Sequence, residues 1–244
     1  MDIEYANKIL EILNKDKECS EWLSMDHHIS NSEDDVWDTS EVLHKALRNN
    51  NIENFALYSG ATKNVIVFED RDFVIKIPMD CELEYDEEEE DNIVVDFKFA
   101  GIHTEISSCW DYCEVETVLY DMATEEKLNE FFAEARLLGC IKGRPIYIQE
   151  LAISYGNGGS SNSKPSDYAE ENAPTVIQAI KKESHYSLPK DWVCAAIDIY
   201  GMDALLNLAE FIGENHITDL HHDNIGFNND GLPVIIDYSS YNEH

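Results

Sequence analysis

Near the C-terminus, Thr218-Asp219-Leu220-His221-His222-Asp223-Asn224-Ile225-Gly226 and Val234-Ile235-Ile236-Asp237-Tyr238-Ser239 bracket Asn228-Asn229-Asp230-Gly231. An Asp-Gly turn flanked by Ile225, Phe227 and Pro233-Val234-Ile235-Ile236 is a strong short-range hairpin signal. Closing that hairpin returns Asn224 and Asp237 to one edge. A carboxylate, an amide oxygen five residues later and a second carboxylate beyond a hairpin suit Mg²⁺, which takes a few oxygen ligands and keeps positions for phosphate and water. Asp219 is then left to orient a hydroxyl. The competing interpretation is an Asx-rich turn joining a helix to a hairpin.

Upstream, hydrophobic spacing divides the chain into helices, then strands, then helices. Residues 2 to 14 carry Ile3, Ala6, Ile9, Leu10 and Leu13 at helical intervals. His27 to Asp35 is polar and aperiodic, hence loop. A second helix is expected from about Thr39 to Arg48, with Asp38 and Glu41 as a capping-box-like start. From Phe55 the period shortens. Phe55–Tyr58, Val65–Phe68 and Phe73–Pro78 read as three antiparallel strands, and Asn92–Phe99 as an extra one. A helix follows from about Asp111 to Thr124. Leu137–Ile141 and Pro145–Gln149 flank Lys142-Gly143-Arg144 as a further hairpin, completing five strands. Gly156 to Pro165 is flexible by composition, and helices are expected over Ala173–Glu183 and Trp192–Asn215.

Lys76 is the odd residue of the third strand, because a cation in an otherwise apolar run costs free energy unless it meets an anion or snorkels to water. The turn Ser59-Gly60-Ala61-Thr62 is small enough to leave its amides accessible to phosphate. Asp80 to Asp91 holds nine carboxylates, whose mutual repulsion makes it a solvated loop or hairpin tip.

With 50 acidic against 17 basic residues the formal net charge is −33. That excess argues against nucleic acid and anionic membranes, both of which need a basic surface. It admits a basic protein partner captured by charge steering. No apolar run has membrane-span length, and the acidic N-terminus is unlike a secretory leader, so a cytoplasmic setting is expected. Six cysteines lack framework spacing, as reduced thiols do.

The spacing Asp219-x-x-x-x-Asn224 with Asp237 after a hairpin resembles the catalytic loop and metal-binding Asp of the protein-kinase-like superfamily. Its D-L-H-x-x-N form is closer to aminoglycoside-phosphotransferase-like and phage-encoded kinase-like proteins than to eukaryotic protein kinases. The resemblance implies an α+β, two-lobed protein-kinase-like fold: a five-stranded antiparallel N-lobe with one main helix, and a reduced helical C-lobe. Residues 1–54 would be a helical accessory segment, 55–151 the N-lobe with an acidic insertion at 80–91, and 152–244 the C-lobe. It implies ATP and Mg²⁺ as cofactors, with Asn224 and Asp237 on the metal and Asp219 accepting the proton of an unidentified acceptor hydroxyl. Lys76 would hold phosphates, paired with Glu116 or alternatively Glu114. Gly60, Ala61 and Thr62 would cover the phosphates, and Gln149, Glu150 and Leu151 would form a hinge that holds adenine. Ser239 replaces the Gly of the family's D-x-G motif, and an activation segment is not expected after Asp237. These departures fit a catalytically inactive pseudokinase, an acidic interaction module, as the alternative function.

Overall fold

β-branched and aromatic residues from Phe55 onward assemble into a five-stranded antiparallel sheet in the spatial order Phe55–Ser59, Lys63–Phe68, Phe73–Pro78, Arg144–Glu150, Ala135–Ile141. The computed structural model describes residues 1–60, 62–80, 98–99, 102–103, 112–161, 163–184 and 186–239. Its chain divides into two units, Met1–Glu114 with Ala135–Gln149, and Val115–Glu134 with Glu150–His244.

In the first unit, β1 (Phe55–Ser59), β2 (Lys63–Phe68) and β3 (Phe73–Pro78) form a meander, with Leu57 opposite Ile66 and Val65 opposite Lys76. β6 (Ala135–Ile141) and β7 (Arg144–Glu150) form a second hairpin. Its turn residues Lys142 and Gly143 both have positive φ, 43° and 89°, the backbone a twisted two-residue hairpin connection requires. Because strand side chains alternate between faces, Ile66, Phe68, Phe73, Ile75, Ile77, Ile146 and Ile148 fall on one side. There they pack with Ile9 and Leu13 of α1 (Ile3–Lys15) and Leu43 and Leu47 of α3 (Glu33–Asn49). Each such side chain contributes roughly 1.5–3 kcal/mol by burial. The N-terminal helices, expected as an accessory segment, therefore cover one face of the sheet and complete its core.

α3 begins at Glu33 rather than near Thr39, capped by Ser32, whose hydroxyl accepts the Asp35 N–H at 3.2 Å. Glu33, Asp34 and Asp35 lack apolar periodicity but sit favourably at the positive end of the helix dipole. Two hydrogen bonds from Ser30 also hold the Asp35 carboxyl below its usual range. A short α2 (Lys17–Trp22), not anticipated, follows α1.

Arg144 is the polar anchor of this unit. Buried at 1% exposure, it meets Asp80, itself 6% exposed, through Nη2 to Oδ2 at 2.9 Å and Nη1 to Oδ1 at 3.3 Å. Its remaining donors reach the carbonyls of Leu23 (3.3 Å), Ser24 (3.4 Å), His27 (2.7 Å) and Pro78 (3.0 Å). Asp80 also accepts the Ile29 N–H at 2.9 Å, so one ion pair straps the 23–29 loop to the sheet. Expected as the first residue of a solvated acidic run, Asp80 is buried and paired because an arginine 64 residues away meets it. Residues 81–91 lie outside the described residues. Of the expected strand Asn92–Phe99, Lys98–Phe99 is described, as β4 paired with β5 (Ile102–His103).

Within the second unit, α5 (Asp167–Ser184), α6 (Lys190–Tyr200) and α7 (Met202–Glu214) pack through Ala173, Val176, Ile180, Trp192, Leu205, Leu208 and Ile212. α5 starts six residues before the expected Ala173 and carries Pro174 inside it. The single helix expected over Trp192–Asn215 is two, turned by 117° at Gly201, whose φ of +87° an L-residue rarely adopts. No single helix among the described residues is long and apolar enough to cross a membrane. α4 (Tyr112–Glu125) belongs to this unit from Val115 onward. A three-stranded sheet completes it, β10-β9-β8, from Pro233–Ile235, Ile225–Asn228 and Ala152–Ser154. Of these strands, β8 was not anticipated.

Candidate functional site

The expected hairpin forms between β9 and β10, with Ile225 opposite Ile235 and Phe227 opposite Pro233. The Asn228 carboxamide closes the connection by accepting N–H groups of Asp230 (3.1 Å) and Leu232 (2.9 Å). At its open end the Asn224 carbonyl accepts the N–H of Ile236 at 2.8 Å and of Asp237 at 3.4 Å. Asn224 and Asp237 are thereby brought to the same edge, as the spacing predicts.

The segment leading into this edge is fixed from both ends. α7 stops at Asn215, where His216 adopts a left-handed φ of 53°, and Leu220 is buried at 1% exposure as an apolar anchor. The Asn224 side chain turns back on it, Nδ2 donating to the Asp219 carbonyl at 2.8 Å and to its carboxylate at 3.2 Å. That orientation spends the amide nitrogen on Asp219 and leaves the amide oxygen as the group Asn224 can offer a cation. Ser239 Oγ donates to Asp237 Oδ1 at 3.1 Å and so holds the carboxylate. Asp219, Asn224 and Asp237 are each partly exposed, which keeps them within reach of a solute.

Two backbone approaches hold the loop in place. Gly156 N–H donates to the His222 carbonyl at 3.0 Å, and a Cβ on Gly156 would lie 2.0 Å from Asp223 Oδ1. A Cβ on Gly226 would lie 2.2 Å from the Ile153 carbonyl oxygen, where β8 and β9 pair, and the Trp192 indole donates to the Gly226 carbonyl at 2.9 Å.

In the first unit Lys76 lies on β3 at 4% exposure. Lys63, at 5%, shares its face two residues along the neighbouring strand from Val65, which lies opposite Lys76; this second buried cation was missed because β2 was expected to start at Val65. Gly60 and Thr62 form the β1–β2 turn, Gly60 N–H donating to the Lys63 carbonyl at 2.9 Å, while Ala61 lies outside the described residues. Among the described residues, a Cβ on Gly60 would meet that carbonyl at 3.8 Å, an ordinary van der Waals distance. Glu116 is fully buried on α4, and Glu114 is exposed. Gln149 is buried at the end of β7, the strand bonded to β3. Leu151 is half-buried, as is Glu150, whose carboxylate accepts from Asn228 Nδ2 at 2.9 Å. Burial nevertheless pushes the Glu150 carboxyl above its ordinary range. No local sequence signal could reveal a partner 78 residues away.

His221 Nε2 stands 3.6 Å from Asp219 Oδ1, and its ring meets Tyr186 edge-on at 5.9 Å. Of the cysteines, expected as reduced thiols, Cys109 lies outside the described residues and Cys113 is buried. Compared with known proteins, the chain matches no family model, no curated protein and no solved structure.

Proposed function

We propose that this chain is an ATP- and Mg²⁺-dependent phosphotransferase of the protein-kinase-like superfamily, acting on an acceptor hydroxyl. The observation that carries the proposal is Asn224. Its backbone carbonyl holds the backbone of Ile236 and Asp237 while its side-chain nitrogen holds Asp219, so one residue organises both carboxylates and keeps an amide oxygen to offer. That oxygen and the Asp237 carboxylate are hard donors of the kind magnesium takes. The donor set therefore fits, and Asn224 and Asp237 are assigned to the ion. The chemistry supplied by bound magnesium is neutralisation of charge on the transferred phosphate.

Asp219 has the role of orienting the acceptor hydroxyl and accepting its proton as the phosphoryl group departs. The Asn224 donor bonds fix which way that carboxylate faces. Lys76, buried in the first unit, is assigned to phosphate, as the resemblance implies. Gly60, Ala61 and Thr62 are assigned to the phosphates, and Gln149, Glu150 and Leu151 to the adenine.

The charge of −33 supports a second function, a catalytically silent module that docks a basic protein. Asp219→Asn separates the two. Under phosphotransfer the variant keeps nucleotide binding but loses turnover by about 10²-fold or more. Undiminished turnover in the variant would remove Asp219 from the chemistry, and capture of a basic partner without any turnover in wild type would favour the module.

A further inference from the structure

We propose that His221, His222 and Asp223 form a binding site for a zinc-class divalent transition-metal ion. Each offers one donor atom, and the three donors lie within 4.8 Å of one another. His222 Nε2 is 3.5 Å and His221 Nδ1 3.8 Å from Asp223 Oδ2. Around a tetrahedral ion with bonds near 2.1 Å, neighbouring donors stand roughly 3.4 Å apart. Small side-chain rotations would close the difference.

The donor types choose the ion. Two imidazoles and one carboxylate suit zinc and its neighbours, whereas magnesium and calcium take oxygen. This site is therefore chemically distinct from the oxygen pair Asn224 and Asp237, and it does not rest on the phosphotransfer proposal.

One local contact suits the ligand role. An ion on His221 Nδ1 would replace the hydrogen bond this nitrogen accepts from the Asp223 N–H at 3.2 Å, and the other ring nitrogen, Nε2, faces Asp219 Oδ1 at 3.6 Å, as metal-binding imidazoles commonly direct their other N–H to a carboxylate. The backbone beneath is already set, since the carbonyls of His221 and His222 accept N–H groups of Asn224 and Gly156, each at 3.0 Å. Side chains of His222 and Asp223 are 63% and 52% exposed, which leaves an entry path and makes both replaceable without disturbing the core.

The test titrates Co²⁺, followed by its visible absorption, and Zn²⁺ in competition with a chromophoric chelator. It compares the full chain with His222→Ala, Asp223→Asn and Cys140→Ser, the last because Cys140 is an exposed thiol. The expected result is one ion per chain with a tetrahedral cobalt spectrum, not displaced by excess Mg²⁺. Affinity should fall at least about 10-fold in the first two variants, the lower end of what even outer partners of a metal site cost, and hold in Cys140→Ser. The proposal is overturned by non-saturable binding, by wild-type affinity in His222→Ala, or by loss of the ion in Cys140→Ser.

Discussion

Arg144→Ala removes the side chain that ties Asp80, Pro78 and the 23–29 loop together, and its cost follows from what is left behind. Asp80, 6% exposed, would keep its charge and lose both guanidinium contacts, at 2.9 and 3.3 Å. The carbonyls of Leu23, Ser24, His27 and Pro78 would each lose a charged donor. Breaking a buried pair from one side costs about 3–5 kcal/mol, because the charge stays buried without its guanidinium partner; the Ile29 N–H at 2.9 Å and His28 Nδ1 at 3.6 Å stay beside it. For a chain of this length, each kcal/mol lowers Tm by about 2–4 °C, so the variant should melt about 6–20 °C below wild type. Arg144→Lys keeps the charge but cannot fork between two carboxylate oxygens, and should fall between the two. Arg144→Met combined with Asp80→Asn should recover part of the loss, since neither charge remains buried. The assay is urea and thermal unfolding followed by circular dichroism. An Arg144→Ala variant within about 1 kcal/mol of wild type, or losses that simply add in the double variant, would refute the uncompensated-charge reasoning.

Gly226→Ala should destabilise by about 1–3 kcal/mol, because its Cβ would press on the Ile153 backbone at 2.2 Å rather than on a yielding side chain; unchanged urea unfolding would contradict this. Glu150→Gln should raise Tm at pH 7. Burial lifts the folded-state carboxyl above its unfolded value, so the charged form is penalised at high pH and relieved as pH falls through the folded value. The glutamine keeps an oxygen for Asn228, and its advantage should vanish below about pH 4, where the wild-type carboxyl is protonated in both states. A variant less stable than wild type at pH 7 would reverse the sign.

Short-range patterns were legible in the sequence, and long-range partnerships were not. Phe55–Pro78 and the Asp230-Gly231 hairpin follow from residue type and period alone, and the hairpin brings Asn224 and Asp237 together as their spacing implies. The start of α3 was misplaced because its first turn is held by capping and dipole, not by an apolar stripe. The break at Gly201 was hidden by apolar residues on both sides, and one backbone angle decides it. Arg144 with Asp80 and Glu150 with Asn228 are set by tertiary contact across 64 and 78 residues, and neither residue carries a local mark of its partner. His222 and Asp223 stood inside the quoted motif but drew no role, since only the folded loop shows their donor atoms converging with that of His221.

The most direct test of phosphotransfer is thermal unfolding with ATP alone, Mg²⁺ alone and both, on wild type and Asp237→Asn. Ligand at about 100 times its Kd stabilises by roughly 2.7 kcal/mol, equivalent to about 5–10 °C for this chain length. The nucleotide site predicts a shift of that size that requires both components and is lost in Asp237→Asn. No shift with any combination, or an equal shift in the variant, would contradict it.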